Sequence, residues 1–151
     1  MGQESDQSLV DRVAGECLAA RVRILNRAIT SLYDEALRPL GAKVSQMNIL
    51  VVTAKLGVAR PGQICDILHM DASTLSRNAE RMVAHGWLEV VPDADARAQP
   101  LRVTNEGMTL LKKALPAWER AQAKARAILG EAGANWLRES VRKLNDVQNH
   151  E

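Results

Sequence analysis

The sequence contains no phenylalanine, one tyrosine and three tryptophans, and its 151 residues include only nine glycines and five prolines. Alanine, leucine, arginine, glutamate and valine dominate instead, so helix formers outweigh strand formers. This balance excludes a large β-sandwich and favours one mainly helical globular domain over residues 1–151.

Cysteine and histidine are too sparse and too scattered for a disulfide scaffold or a metal centre. Cys17 and Cys65 lie far apart, and His69, His85 and His150 do not fall at ligand spacing. We therefore expect no metal and no cofactor.

Long apolar stretches and catalytic motifs are also missing. The longest unbroken apolar run, Ile49–Val52, falls far short of the roughly 18 residues of a membrane span, and the polar N-terminus is unlike a signal peptide. There is no glycine-rich phosphate loop and no nucleophile elbow. We expect a cytoplasmic protein that is not an enzyme, and the net charge of +2 permits contact with nucleic acid without requiring it.

A long amphipathic helix is predicted near the N-terminus. Apolar residues recur from Leu18 to Ala36 at alternating steps of four and three, which places them on one side of a helix. We expect this helix to begin near Ser8 or Asp11 and to end at Pro39. So short a chain can hardly cover so long an apolar stripe, so a partner helix is implied.

A second long helix is predicted over Asn105–Leu129, bent at Pro116, with a turn over Gly130–Ala134 and a final helix after it. Residues 8–40 and 105–148 would then form a helical dimerisation region, with an intramolecular bundle as the alternative. The residues expected at the dimer interface are Leu18, Val22, Leu25, Trp118, Trp136, Leu137 and Val141.

Residues 43–104 show the pattern of a helix-turn-helix. Ser45 is expected to cap a buried helix, Pro61 to begin a short helix, and Asp71 to cap another that closes at Gly86. The side chains of this last helix expected to point inward are Leu75, Ala79, Met82 and Val83.

Two strands follow, Trp87–Val91 and Leu101–Thr104, joined by a polar tip over residues 92–98. This order is typical of a winged helix-turn-helix, in which the second short helix enters the major groove of DNA. Asp95 is expected to orient the Arg97 guanidinium toward the minor groove. The side chains of the second short helix expected to face DNA are Ser73, Thr74, Ser76, Arg77, Asn78 and Arg81. The alternative for both surfaces is an ordinary solvated polar face.

The strings SQMNIL, DASTLSRNAERM, HGWLEV, PDADAR and RVTNEG, in this order, resemble those of the MarR family of winged-helix transcription regulators. The resemblance runs from about Cys17 to the C-terminal helix. It implies a homodimer that binds pseudo-palindromic operator DNA and usually represses transcription, with residues 73–78 reading the major groove and Arg97 probing the minor groove.

The chain departs from the family pattern in three places. Ala72 stands where the family often has arginine, and His69 stands in a turn that usually holds glycine, although histidine tolerates a positive φ. Residues 43–104 hold seven basic and six acidic residues, a weak positive bias for a DNA-binding region. We expect modest affinity with a steep dependence on salt.

The resemblance also implies a pocket for a small aromatic or phenolic effector. Its expected lining is Cys17, Arg21, Met47, Leu111 and Leu115. Two alternatives stay open: a thiol-based redox sensor that uses Cys17, and a protein-interaction module that has lost DNA binding.

Overall fold

The computed structural model describes residues 5–148, with side chains through residue 146. Residues 1–4 and 149–151 of the expected single domain, His150 among them, lie outside the described residues. The elements are α1 (Asp6–Glu16), α2 (Leu18–Leu37), a 3-10 turn (Arg38–Leu40), α3 (Val44–Leu56), α4 (Pro61–Leu68), α5 (Ala72–Ala84), β1 (Leu88–Val90), β2 (Leu101–Val103) and α6 (Asn105–Gln148). The prediction of a mainly helical fold with a small β-wing is confirmed.

The expected single N-terminal helix is interrupted at Cys17, which has an extended backbone with φ −61° and ψ 107°. The Arg21 guanidinium closes the end of α1 by donating to the backbone oxygens of Cys17 at 3.2 Å and of Gly15. The apolar period of α2 begins at Leu18, just after this break, so the stripe itself carried no sign of an interruption.

The main core lies between α3, α4, α5, the wing and the start of α6. Its fully buried side chains are Ile49, Leu50, Ile64, Leu75, Met82 and Leu88. Ala79 packs against this core as expected, but two residues expected inside are exposed, Val51 by 51 % and Val83 by 38 %. The consecutive apolar residues of α3 point around the whole helix, so a helix covered mainly on one side leaves one of them in water.

The start of α3 also differs from the prediction. The helix begins at Val44, and Ser45 is not its cap. The backbone N–H of Lys43 donates to Gln46 Oε1 at 3.0 Å, and that of Val44 donates to Asp34 Oδ1 at 2.8 Å. A carboxylate from the preceding helix thus satisfies a helix N-terminus that local spacing assigned to a serine.

The long C-terminal helix changes direction at Gly130, the one residue of α6 with non-helical angles (φ 69°, ψ 165°). The expected turn over residues 130–134 is therefore a single residue, and Pro116, the expected bend, keeps a helical backbone. After Gly130 the chain lies beside α2, where Leu137 and Tyr33 line one cavity of about 220 Å³. The Tyr33 hydroxyl donates to Gln122 Oε1, and burial raises the pKa of this hydroxyl.

Within the described range, none of the helices is both long enough and apolar enough to cross a membrane. Over the same residues, no three His, Cys, Asp or Glu side chains are grouped so as to hold a metal ion.

Candidate nucleic-acid interface

The turn between α4 and α5 depends on a left-handed residue. His69 ends α4 with φ 48° and ψ 47°, which confirms the positive φ expected for a histidine in this place. The N–H of Met70 donates to the carbonyl of Cys65 at 3.0 Å and completes the helix end. This turn sets the direction in which α5 leaves the module.

Asp71 caps α5 with both carboxylate oxygens. Oδ1 accepts from the Thr74 N–H at 2.8 Å and from the Ser73 hydroxyl at 2.6 Å, and Oδ2 accepts from the Thr74 hydroxyl at 2.8 Å. These hydrogen bonds, the one from Ser73 foremost, lower the pKa of Asp71 to about 2. The N-cap of α5 therefore carries a negative charge at neutral pH, at an exposed position.

The outward side of α5 is partly as expected. Ser73, Ser76, Arg77 and Arg81 are exposed, whereas Thr74 and Asn78 are half-buried. Two hydrogen bonds within α5 involve these half-buried residues. The Asn78 amide donates to the Thr74 carbonyl at 2.9 Å, and Arg77 Nη2 donates to Thr74 Oγ1 at 3.4 Å.

The wing tip is ordered by a series of carboxylates. Arg60 Nη2, at the start of α4, lies 3.3 Å from Asp93 Oδ2, and Asp93 Oδ1 accepts from the N–H of Asp95 at 2.9 Å. Asp95 Oδ1 in turn accepts from the N–H of Arg97 at 3.0 Å. The expectation that Asp95 holds the Arg97 guanidinium is wrong: Asp95 holds the backbone, and the exposed Arg97 side chain extends from that turn.

Arg60 and Asp93 were missed by sequence reasoning. They are 33 positions apart, so no helical or strand spacing connects them. Only the packing of the wing against the start of α4 brings them together, through the bridge between Ala59 and Leu101.

The base of the wing is fixed by Thr104 and Gly107. The N–H of Thr104 donates to the Trp87 carbonyl at 3.1 Å, and Thr104 Oγ1 accepts from the N–H of Gly107 at 3.1 Å. A Cβ on Gly107 would lie 2.2 Å from the Trp87 oxygen and 2.8 Å from Val103 Cγ1. The glycine lets the first turn of α6 approach the strands this closely.

The sequence and the fold of this chain are similar to those of known proteins. The MarR family model matches residues 40–98. Multiple antibiotic resistance protein MarR of Escherichia coli strain K12 is 25 % identical over 97 residues, which are 64 % of this chain and 67 % of that protein. The M. tuberculosis transcriptional regulator MOSR, solved in complex with DNA, is 30 % identical with a TM-score of 0.74, over 89 % of this chain and 98 % of its own. The chain belongs to the MarR family.

A mutant of E. coli MarR complexed with operator DNA shares the fold, with a TM-score of 0.76 at 20 % identity over 87 % of this chain and 96 % of its own. The MarR family comprises winged-helix transcriptional regulators, and this chain is one of them. The matched segment, residues 40–98, contains α3 to α5, β1 and the wing tip over residues 92–98.

The residues expected to line a MarR-type effector pocket do not lie close together within the single chain. Met47 and Leu111 pack in the cluster around Leu37, at the C-terminal end of α2. Cys17 and Arg21 lie at the other end of this helix, about 25–30 Å away at 1.5 Å per residue. Leu115 on α6 is exposed.

The residues expected at the dimer interface are accessible in the single chain. Leu18, Val22, Trp118, Trp136 and Val141 are exposed, and Leu25 and Leu137 are half-buried. α1 contains no buried residue at all. The long helices of this MarR-family chain thus leave a large apolar surface uncovered.

Proposed function

We propose that this protein is a homodimeric repressor that binds a pseudo-palindromic operator and is released from it by a small-molecule effector. The observation that carries the proposal is the exposed face of α5, where Ser73 and Ser76 stand beside the cations Arg77 and Arg81. Such a face combines groups that hydrogen-bond base edges with groups that pair with phosphates or guanine.

In the complex, α5 lies in the major groove and the wing lies over the adjacent minor groove. Thr74 and Asn78 brace the first turns of α5, and Asp95 fixes the backbone from which Arg97 extends. A guanidinium at this place suits the negative potential of a narrow minor groove.

Two copies are needed for specificity, since one module offers few base contacts. Residues 8–40 and 105–148 form the dimerisation region of the proposal, and residues 43–104 form the DNA-binding region. The uncovered apolar side chains of α2 and α6 support a two-fold interface. Such a dimer sets its two α5 helices about 34 Å apart, one turn of DNA. A regulator that binds operator DNA acts in the cytoplasm, and the proposal includes this location.

The effector of the proposal is a small aromatic or phenolic compound that binds between the helical base and the winged module. Met47 of α3 and Leu111 of α6 meet at this junction. An effector with higher affinity for the DNA-free arrangement lowers operator affinity, and operator lowers effector affinity by the same factor. Thermal shifts measured for a panel of aromatic acids, with and without operator, test this reciprocity.

A shift assay on the DNA that flanks the protein's own gene tests DNA binding. We expect specific binding that weakens with salt and falls roughly tenfold or more in Arg77→Ala and Arg97→Ala. Arg23→Ala, on α2, removes the same charge away from the DNA face and is the matched control. Unchanged binding in both test variants contradicts the proposal.

A further inference from the structure

The hydroxyl groups at the start of α5 already have a hydrogen-bond acceptor. Ser73 Oγ lies 2.6 Å from Asp71 Oδ1, and Thr74 Oγ1 lies 2.8 Å from Asp71 Oδ2. A hydroxyl has one hydrogen and two lone pairs, and an ionised carboxylate has only lone pairs. In both contacts the hydrogen therefore belongs to the hydroxyl and points at Asp71.

The third hydroxyl on this face follows the same pattern at longer range. Ser76 Oγ lies 3.4 Å from Glu80 Oε1, so its hydrogen also points toward a carboxylate. The hydrogen-bonded Asp71 stays ionised through the neutral range because its pKa is about 2. The donors on the outward side of α5 are then chiefly the guanidinium groups of Arg77 and Arg81.

The two hydroxyls at the N-terminal end of α5 differ in how many of their lone pairs remain available to DNA. Thr74 Oγ1 is half-buried and one of its lone pairs faces Arg77 Nη2 at 3.4 Å. Ser73 is exposed and its lone pairs have no partner within the described residues. Ser73 is thus the hydroxyl best placed to meet a base, and it meets the base with lone pairs only.

We infer that the N-terminal end of α5 reads DNA as a hydrogen-bond acceptor, with Ser73 Oγ accepting from the exocyclic amino group of cytosine or adenine. The inference rests on the proposed function and specifies how it selects sequence. In the major groove, cytosine N4 and adenine N6 are donors, whereas guanine N7 and O6 and thymine O4 are acceptors. A hydroxyl held by a carboxylate discriminates between these edges, whereas a freely rotating hydroxyl pairs with either.

The test starts with sites enriched from random double-stranded DNA by the full-length protein. In the strongest site, each adenine is replaced singly by purine, which lacks the N6 amino group, and each cytosine by pyrimidin-2-one, which lacks the N4 amino group. Parallel duplexes carry 7-deazapurines, which lack the N7 acceptor. Affinities are measured for the wild type, for Ser73→Ala and for Ser31→Ala, a control on α2 whose hydroxyl donates to the Arg27 carbonyl.

We expect the loss of one particular amino group, removed from one half-site at a time, to weaken wild-type binding by roughly two- to 12-fold. The same loss changes the affinity of Ser73→Ala by less than about twofold, because the partner is already gone. Ser31→Ala behaves as the wild type. Asp71→Asn, which offers amide hydrogens in place of one carboxylate oxygen, relaxes the discrimination at the same base pair.

Two outcomes overturn the inference while the proposed function stands. If a 7-deaza substitution is the change coupled to Ser73, the hydroxyl donates to the base. If Ser73 is coupled to none of the analogues, it accepts from no exocyclic amino group. If no sequence is enriched from random DNA, the proposed function fails and the inference falls with it, and that result is distinct from the other two.

Discussion

Asp71 connects the stability of α5 to pH. Its folded-state pKa of about 2 lies below the roughly 3.9 of an unperturbed aspartate. Its contribution to stability is therefore fully present above about pH 4 and is lost as the pH falls through about 2. We expect the difference in Tm between the wild type and Asp71→Ala, followed by circular dichroism, to be constant from pH 5 to 8 and to shrink between pH 4 and 2. A difference as large at pH 2 as at pH 7 contradicts this assignment.

Gly107 is the other residue whose chemistry is set by its surroundings. A methyl group there meets the Trp87 carbonyl, which is backbone and cannot rotate away. We expect Gly107→Ala to lower the free energy of unfolding by roughly 1–3 kcal/mol, measured by urea denaturation. Gly62→Ala, in α4 with open space around it, is the control and should be neutral or stabilising. Equal stabilities for the two variants would show that the backbone at the base of the wing shifts to accommodate the methyl group without loss of stability.

Residues with local partners were predictable from the sequence, and residues with distant partners were not. Asp71 caps amides within three positions, and His69 takes the φ that its turn requires. The cap of α3 comes from Asp34, ten positions away, so local spacing favoured Ser45. The Asp95 carboxylate was expected to bind the Arg97 guanidinium. It accepts from the backbone N–H of Arg97 instead, because this N–H competes with the guanidinium for the same oxygen.

At the scale of elements, the wing tip contacts the start of α4 through the carboxylate of Asp93. Its ion pair with Arg60 lies at the surface, where the Arg60 side chain is 63 % exposed, and such a pair contributes little to stability. Its hydrogen bond to Asp95 sets the turn that presents Arg97. The pair therefore matters for the placement of the tip more than for folding.

We expect Asp93→Ala to leave Tm nearly unchanged and to weaken operator binding severalfold, because the tip loses its fixed geometry. The double variant Asp93→Ala with Arg97→Ala should bind no more weakly than Arg97→Ala alone, since both changes act through one contact. Glu89→Ala, which breaks the Glu89–Arg102 pair on the strands, is the matched control in the shift assay. Additive losses from Asp93 and Arg97 would mean that Asp93 acts on DNA by another route.

The order of elements followed from periodicity and caps, and so did the turn at Gly130, but the break at Cys17 did not. Cys17 interrupts the expected N-terminal helix immediately before the apolar period of α2 begins at Leu18, and Gly130 alone makes the turn that was expected to span residues 130–134. Pro116 was expected to bend the helix but stays within it, whereas Gly130, at the start of the expected turn, takes the left-handed φ that turns the chain. One residue is enough to redirect a helix, and such a change is shorter than the window in which periodicity is visible.

For the whole molecule, the exposed apolar residues of the long helices argue for a second copy. Leu18 is 76 % exposed and Trp136 is 60 % exposed, which is costly for side chains of this size in water. If these side chains form a two-fold interface, a charge on either places two like charges in the same buried surface. The single chain would then be favoured over the pair.

We expect Leu18→Asp and Trp136→Asp to reduce the mass measured by light scattering from that of two chains to that of one. Operator affinity should fall with the mass, because a lone module loses the second half-site. Ile67→Asp, on α4, is the control, since Ile67 is 48 % exposed but lies outside the long helices. If the unaltered protein has the mass of one chain at every concentration, the apolar surface serves another partner and the paired half-sites of the proposal have no physical basis.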